Sequence, residues 1–186
     1  MTRVVFWRRL DVLGLERLSL RKFDRGLEAQ STLLSLEAGG IRLDYRWRLG
    51  AAWRTLDLDI EKVSPGGRGS LSLQRHGSGW RVNGRSRPDL DDAAEPDLSA
   101  TPFCNTLPIR QMMPGQDLWE LDVCFIHAGD LSVERSRQRY ERLGPSRFRY
   151  VDLGRHAGFD AILALDADGL VKTYDNLFEQ VGPSSA

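Results

Sequence analysis

The sequence is poor in the residues that usually announce chemistry. Two cysteines, Cys104 and Cys124, and three histidines, His76, His127 and His156, are scattered over 186 residues. They show no metal-ligand spacing, so no structural zinc site is expected. Lysine is nearly missing: Lys22, Lys62 and Lys172 stand alone among 26 basic residues, the rest being arginine. The 26 basic residues are balanced by 26 acidic ones. That excludes the cationic excess on which general nucleic-acid affinity depends. No apolar run approaches the roughly 20 residues of a membrane span. The opening Met1-Thr-Arg-Val-Val-Phe-Trp-Arg-Arg has neither an apolar run of signal-peptide length nor a cleavage site. The chain therefore reads as cytoplasmic with both thiols reduced, although a Cys104–Cys124 bridge stays open in an oxidising setting. Glycine-rich phosphate loops, a dinucleotide fingerprint, a Gly-x-Ser-x-Gly elbow and paired-histidine motifs are all missing, and no cofactor is expected.

What the chain does have is alternation. A single domain over residues 1–186 is expected, with a substantial core. Ile41, Leu43, Tyr45 and Trp47 alternate with charged residues, as do Leu56, Leu58 and Ile60, then Leu71 and Leu73, Trp119 to Phe125, and Phe159 to Leu165. This is the period of half-buried strands. Glycine and Asp-Gly signals punctuate the runs, among them Asp166-Ala-Asp-Gly169, which reads as a hairpin turn because its calcium-loop continuation fails. A turn at Ala38-Gly39 pairs Leu36 with Ile41, Leu34 with Leu43 and Thr32 with Tyr45. A turn at Gly50-Ala51 pairs Leu43 with Leu58, Arg42 with Asp59, Arg46 with Thr55 and Arg48 with Trp53, the last a cation–π contact. A turn at Gly77-Ser78 sets Arg75 opposite Trp80. The fold class is thus mainly β: an antiparallel meander curled into a β-barrel or roll, with one or two short helices.

One stretch breaks the pattern: Asp97-Leu-Ser-Ala-Thr-Pro-Phe-Cys-Asn-Thr-Leu-Pro-Ile-Arg110. Thr101-Pro102 suits a helix start, with a stop at Pro108. Catalytic loop, ligand clamp and structural plug are the readings open to it; a plug with Phe103, Leu107 and Ile109 inward and Thr101, Asn105 and Arg110 at a polar rim fits best. Leu131 to Leu143 is either a charged helix or a strand. As a strand it puts Arg135, Arg137 and Arg139 in one row opposite Gln138 and Tyr140, and Arg149 follows on the next. Those arginines either line a concave face for an anionic or sugar head group or form outer ion pairs. Asp89, Asp91, Asp92 and Glu95 are a solvated loop or a cation or sugar-hydroxyl site. Cys104 as nucleophile has no histidine near it in sequence.

The Thr-Pro-Phe-x-Asn-Thr-Leu-Pro-Ile-Arg core, followed in order by Gln138-Arg-Tyr140, Phe148-Arg-Tyr150 and Asp168-Gly-Leu-Val171, resembles the signature of the bacterial putative glycolipid-binding family. Cys104 departs from the threonine of that pattern. The resemblance implies a β-barrel or spiral β-roll shaped like periplasmic lipoprotein carriers, around a cavity for a glycolipid, and carries over no catalytic residue. The expected function is binding of an amphipathic ligand. The alternatives are an enzyme acting on a sugar- or lipid-linked substrate, which needs two carboxylates or a carboxylate and a tyrosine in a cavity, and an interaction module, for which a homodimer is open. The candidate ligand-binding residues are Arg46, Trp53, Thr101, Asn105, Arg110, Arg139, Tyr140 and Arg149; no catalytic or metal-ligating residue is assigned.

Overall fold

The structure, a computed structural model, describes residues 2–182. Fifteen strands form one sheet. The first meander comprises β1 (Thr2–Arg9), β2 (Gly14–Phe23), β3 (Gly26–Ser35), β4 (Ile41–Gly50), β5 (Thr55–Ser64), β6 (Gly67–His76), β7 (Gly79–Val82) and β8 (Arg85–Ser86). The second comprises β9 (Pro96–Leu98), β10 (Leu118–Ile126), β11 (Val133–Gly144), β12 (Arg147–Asp152), β13 (Asp160–Leu165), β14 (Val171–Tyr174) and β15 (Phe178–Val181). Pairing of β1 with β15 joins the two, so the sheet runs from β8 through β1 and β15 to β9. All pairs are antiparallel except β9 with β10. The curled roll forms, but it does not close into a barrel. Closure is unnecessary because the free edges are small: β8 has two residues, and β9 has three and begins with Pro96, which offers no N–H to a new strand.

The helix α1 (Phe103–Gln111) lies inside the curl and buries every side chain from Phe103 to Ile109. It is buried on every side although it carries Asn105 and Thr106, so it is an interior element and not an amphipathic surface helix. Phe103, Cys104 and Leu107 pack into a core with Leu18, Leu43, Trp47, Leu58 and Leu73 under the first meander. Ile109 and Met112 pack with Val123, Tyr140, Phe148, Leu163 and Val171 under the second. The plug is therefore real, and it bridges two cores. Thr101 caps its start, with Oγ1 accepting the Phe103 N–H at 3.1 Å. Pro108 does not end the helix, contrary to expectation. It removes one backbone bond, at a cost of about 3 kcal/mol, and burial of Leu107, Ile109 and Met112 around it outweighs that loss.

Two hairpin registers differ from those expected. In β3–β4, Leu33 faces Leu43 and Leu34 faces Arg42. The connection is a 3-10 turn, Glu37–Gly39, with Ala38, Gly39 and Gly40 all at positive φ, not a two-residue turn. The one-residue slip reverses the faces, so Leu27, Ala29 and Leu33 are buried while Leu34 and Leu36 are exposed. In β4–β5, residues 51–54 form the connection and the pairing moves by four: Arg46 faces Asp59, Tyr45 faces Ile60 and Trp47 faces Leu58. An even slip keeps Leu58 and Ile60 inside. Arg48 then pairs with Asp57 (Nε to Oδ1 2.7 Å) and not with Trp53. Arg75 does cover Trp80, at 4.2 Å from the ring centroid. Asp166 to Leu170 makes the expected hairpin turn between β13 and β14. Residues 133–144 are strand, which removes the helical alternative for that segment.

Candidate functional site

The N-terminal half of α1 is the floor of an open cavity of about 390 Å³. Cys104 and Asn105 contribute from the helix, Thr101 from its cap, and Asp97 from β9. Walls come from the second meander: Tyr150 and Asp152 on β12, Phe159 on the following loop, Tyr174 on β14 and Phe178 on β15. Their rings form one array, with centroid separations of 5.9 Å for Tyr150–Tyr174, 6.2 Å for Tyr150–Phe159, 6.4 Å for Phe159–Tyr174 and 6.1 Å for Tyr174–Phe178. At the mouth Arg9 is held by Asp11 (2.8 Å) and Glu37. His156 stacks edge-on against Phe125, and His127 lies at the rim.

Two buried carboxylates face this space. Asp97 accepts the Cys104 S–H at 2.9 Å and a bond from Gln138 Nε2. Burial pushes its pKa above the usual carboxylate range, and the nearby charge of Asp152 adds to the rise. Asp152 accepts the backbone N–H groups of Gly154 (2.8 Å) and His156 (3.2 Å) on Oδ1, and the Tyr150 hydroxyl (3.4 Å) on Oδ2. Behind Asn105, the Tyr140 hydroxyl accepts from Asn105 Nδ2 at 2.9 Å and donates to Gln138 Oε1 at 3.3 Å. Cys104 is a poor nucleophile: burial first, then the negative Asp97, holds its thiol well above the ordinary value. Both cysteines are free and buried, and no disulfide joins them.

Of the eight sequence-derived candidates, Thr101 and Asn105 line the cavity, and Tyr140 stands one layer behind them. Arg110 and Trp53 meet elsewhere. The guanidinium lies 3.8 Å from the indole centroid and donates to the Asp168 carbonyl, in a separate hollow of about 340 Å³ shared with Arg3 and Lys22. Arg46, Arg139 and Arg149 are on the outer face. Arg139 pairs with Glu141 (2.8 Å), Arg149 with Asp160 (2.9 Å), and Arg46 is within 4.0 Å of Glu28 and Asp59. The arginine-lined concave face is thus corrected: strand parity turns Gln138, Tyr140, Phe148 and Tyr150 inward, so the arginines between them point out. The acidic cluster divides too. Exposed Asp89 pairs with half-buried Arg87, whereas buried Glu95 accepts the Thr55 N–H (3.0 Å) and bonds from Gln111 (2.9 Å) and Arg75 (3.2 Å), tying β5, α1 and β6 together.

Sequence reasoning missed Asp97, Asp152, His156 and Phe159. A signal was there for one: Asp152 shares the inward phase of Phe148 and Tyr150, where a carboxylate needs a reason. Among the described residues no cluster suits a metal ion, and no helix is long and apolar enough to cross a membrane.

No curated protein matches the chain at a significant level. The crystal structure of a DUF1089 family protein from Pseudomonas aeruginosa is similar, with 32% identity over 90% of this chain and 92% of that one, and a TM-score of 0.79. A family model described as "Putative glycolipid-binding" matches residues 4–180, and the chain belongs to that family.

Proposed function

We propose that the protein binds the sugar head group of an amphipathic ligand, a glycolipid, in the cavity above α1. The observation that carries this reading is the pairing of hydrogen-bonding groups and rings in one space. Asp97, Asp152 and Asn105 offer acceptors for hydroxyl groups, and Tyr150, Phe159 and Tyr174 offer faces for the C–H side of a pyranose. An alkyl tail has a place outside the mouth. Asp11 and Glu37 line the cavity, and their near neighbours Leu13 and Leu36 open a shallow apolar trough with Leu15, Leu34 and Val63. The interaction-module reading required a molecule without such a cavity.

Octyl glucoside titrated into the protein, with octanol as control, tests the proposal. At a hundredfold excess over Kd a bound ligand adds about 2.7 kcal/mol, which raises Tm by roughly 5–11 °C for a chain of this size. No shift with any alkyl glycoside, together with no lipid in native mass spectra of freshly purified protein, would overturn it. The same carboxylates favour a second reading, hydrolysis of a glycosidic bond. Asp97, whose proton burial favours, would be the general acid and Asp152 the base for water. Release of nitrophenol from 4-nitrophenyl glycosides, lost in Asp97→Asn, supports that reading; no release leaves binding alone.

A further inference from the structure

The charges around the cavity are lopsided once the pairs are set aside. Among the described residues Arg9 is the one arginine or lysine lining it, and Asp11 and Glu37 already occupy Arg9. Asp97 and Asp152, at the floor and wall, have no arginine or lysine partner among the described residues. Among the described residues the one ion-pair neighbour of Asp152 is His156, with Nδ1 3.5 Å away, and that pair is charged only when the imidazole is protonated. Asp97 is 9% exposed and Asp152 4%. Ionised carboxylates so far from water are costly without a cation. The second feature is independent of charge: the four-ring array of Tyr150, Phe159, Tyr174 and Phe178 borders the same space. Aromatic faces attract cations through their quadrupoles, and such boxes take ammonium groups. An ammonium group is all donor, and this cavity is rich in acceptors.

We infer that the head group preferred by this cavity carries a positive charge, a protonated amine or quaternary ammonium such as an amino sugar would present. The inference rests on the binding reading above and narrows its ligand class. It reverses the sign of the ligand charge that an arginine-lined face would have selected. The cation sits between the ring array and the two carboxylates and takes the place of the missing counter-charge. The groups facing Asp97 are Cys104 from α1, Gln138 and Tyr140 from β11, Tyr150 and Asp152 from β12, His156 from the loop and Tyr174 from β14. None but His156 becomes cationic. Acidification therefore weakens cation binding by protonating Asp97.

The test compares octyl 2-amino-2-deoxyglucoside, octyl glucoside and octyl glucuronide by calorimetric titration at neutral pH, and follows octyltrimethylammonium, whose charge is permanent, down to acidic pH. The amine is expected to bind about tenfold tighter than the neutral glucoside, the glucuronide weakest, and octyltrimethylammonium to lose affinity as pH falls. Asp152→Asn or Asp97→Asn should erase the amine-to-glucoside ratio; the wild-type pH series stands if neither variant folds. Equal binding of amine and glucoside would overturn the charge preference and leave the sugar reading intact. Binding of none of the four probes overturns both. A preference that survives in both folded variants, or is indifferent to pH, removes Asp97 and Asp152 as its source.

Discussion

Leu33 and Leu34 are identical side chains, adjacent in sequence, and the register of one hairpin decides which of them matters. Leu33 is 2% exposed and lies in the first core opposite Leu43; Leu34 is 58% exposed and lies opposite Arg42. Truncating a buried leucine to alanine costs the lost transfer energy plus a cavity, about 2–5 kcal/mol. A loss of about 3 kcal/mol, inside that range, lowers Tm by roughly 6–12 °C in a protein of this length. Leu34→Ala removes a side chain already facing water and costs about 0.5 kcal/mol or less, roughly 2 °C or less. Thermal and urea unfolding of the two variants measure the difference directly. If Leu34→Ala is the more destabilising, or if the two are equal, β3 is turned the other way and the 3-10 connection at Glu37–Gly39 is wrong. The choice of alanine at both positions keeps backbone propensity constant, so the contrast reports burial alone.

Three further outcomes follow from the same geometry. Asn105→Ala removes the donor to the buried Tyr140 hydroxyl and should lower stability by about 1–3 kcal/mol, read by urea unfolding, while Asn105→Asp tests whether the donor rather than the shape is needed. Arg110→Ala should lose the Trp53 contact and the Asp168 carbonyl bond, cost about 1–2 kcal/mol, and leave alkyl glycoside affinity within a factor of about two, because the residue lies in the other hollow. Neither thiol should react with Ellman's reagent in the native protein near neutral pH, since burial raises Cys124 to about 12 and Cys104 well above its ordinary value; both should react at once in denaturant.

The strands were legible because alternation survives almost any error of turn length. Leu58 and Ile60 point inward whether their partners are two or four residues out, so their faces come out right from an incorrect hairpin, whereas Leu56, expected beside them, is exposed where the pairing is interrupted near Thr55. Leu34 and Leu36 show the opposite case. Ser31, Leu33 and Ser35 carry too little apolarity to announce a buried face, whereas Leu34 and Leu36 carry enough to mimic one. The loop conformation broke the tie, through three successive residues at positive φ of which one, Ala38, gives no sequence warning. The site was less legible for a related reason. Guanidinium chemistry makes arginines in a strand look like candidates for the interior, yet their phase opposes that of Tyr140 and Tyr150. Asp152 has the right phase, and Asp97 lies in a three-residue strand that is buried throughout and shows none; both are easily passed over, because one carboxylate in a chain holding 26 acidic residues is inconspicuous.

The unusual segment from Asp97 to Arg110 is dense because every side of it is in use. One face of α1 fills the first core and another the second, so the two meanders meet through it. Its first turn lies under the cavity through Thr101, Cys104 and Asn105. Its last turn reaches the β4–β5 connection, where Gln111 Nε2 donates to the Trp53 carbonyl at 3.1 Å and Arg110 covers the Trp53 ring. A change at nearly any position must therefore disturb packing before it can report on a ligand. That separates the segment from an ordinary binding loop, whose substitutions cost affinity and leave stability alone. Under the proposed binding reading, the cleaner tests of ligand discrimination are therefore residues outside the segment. Asp152, Tyr150 and Phe159 stand on the opposite wall, off the plug, where affinity can change while the two cores stay joined.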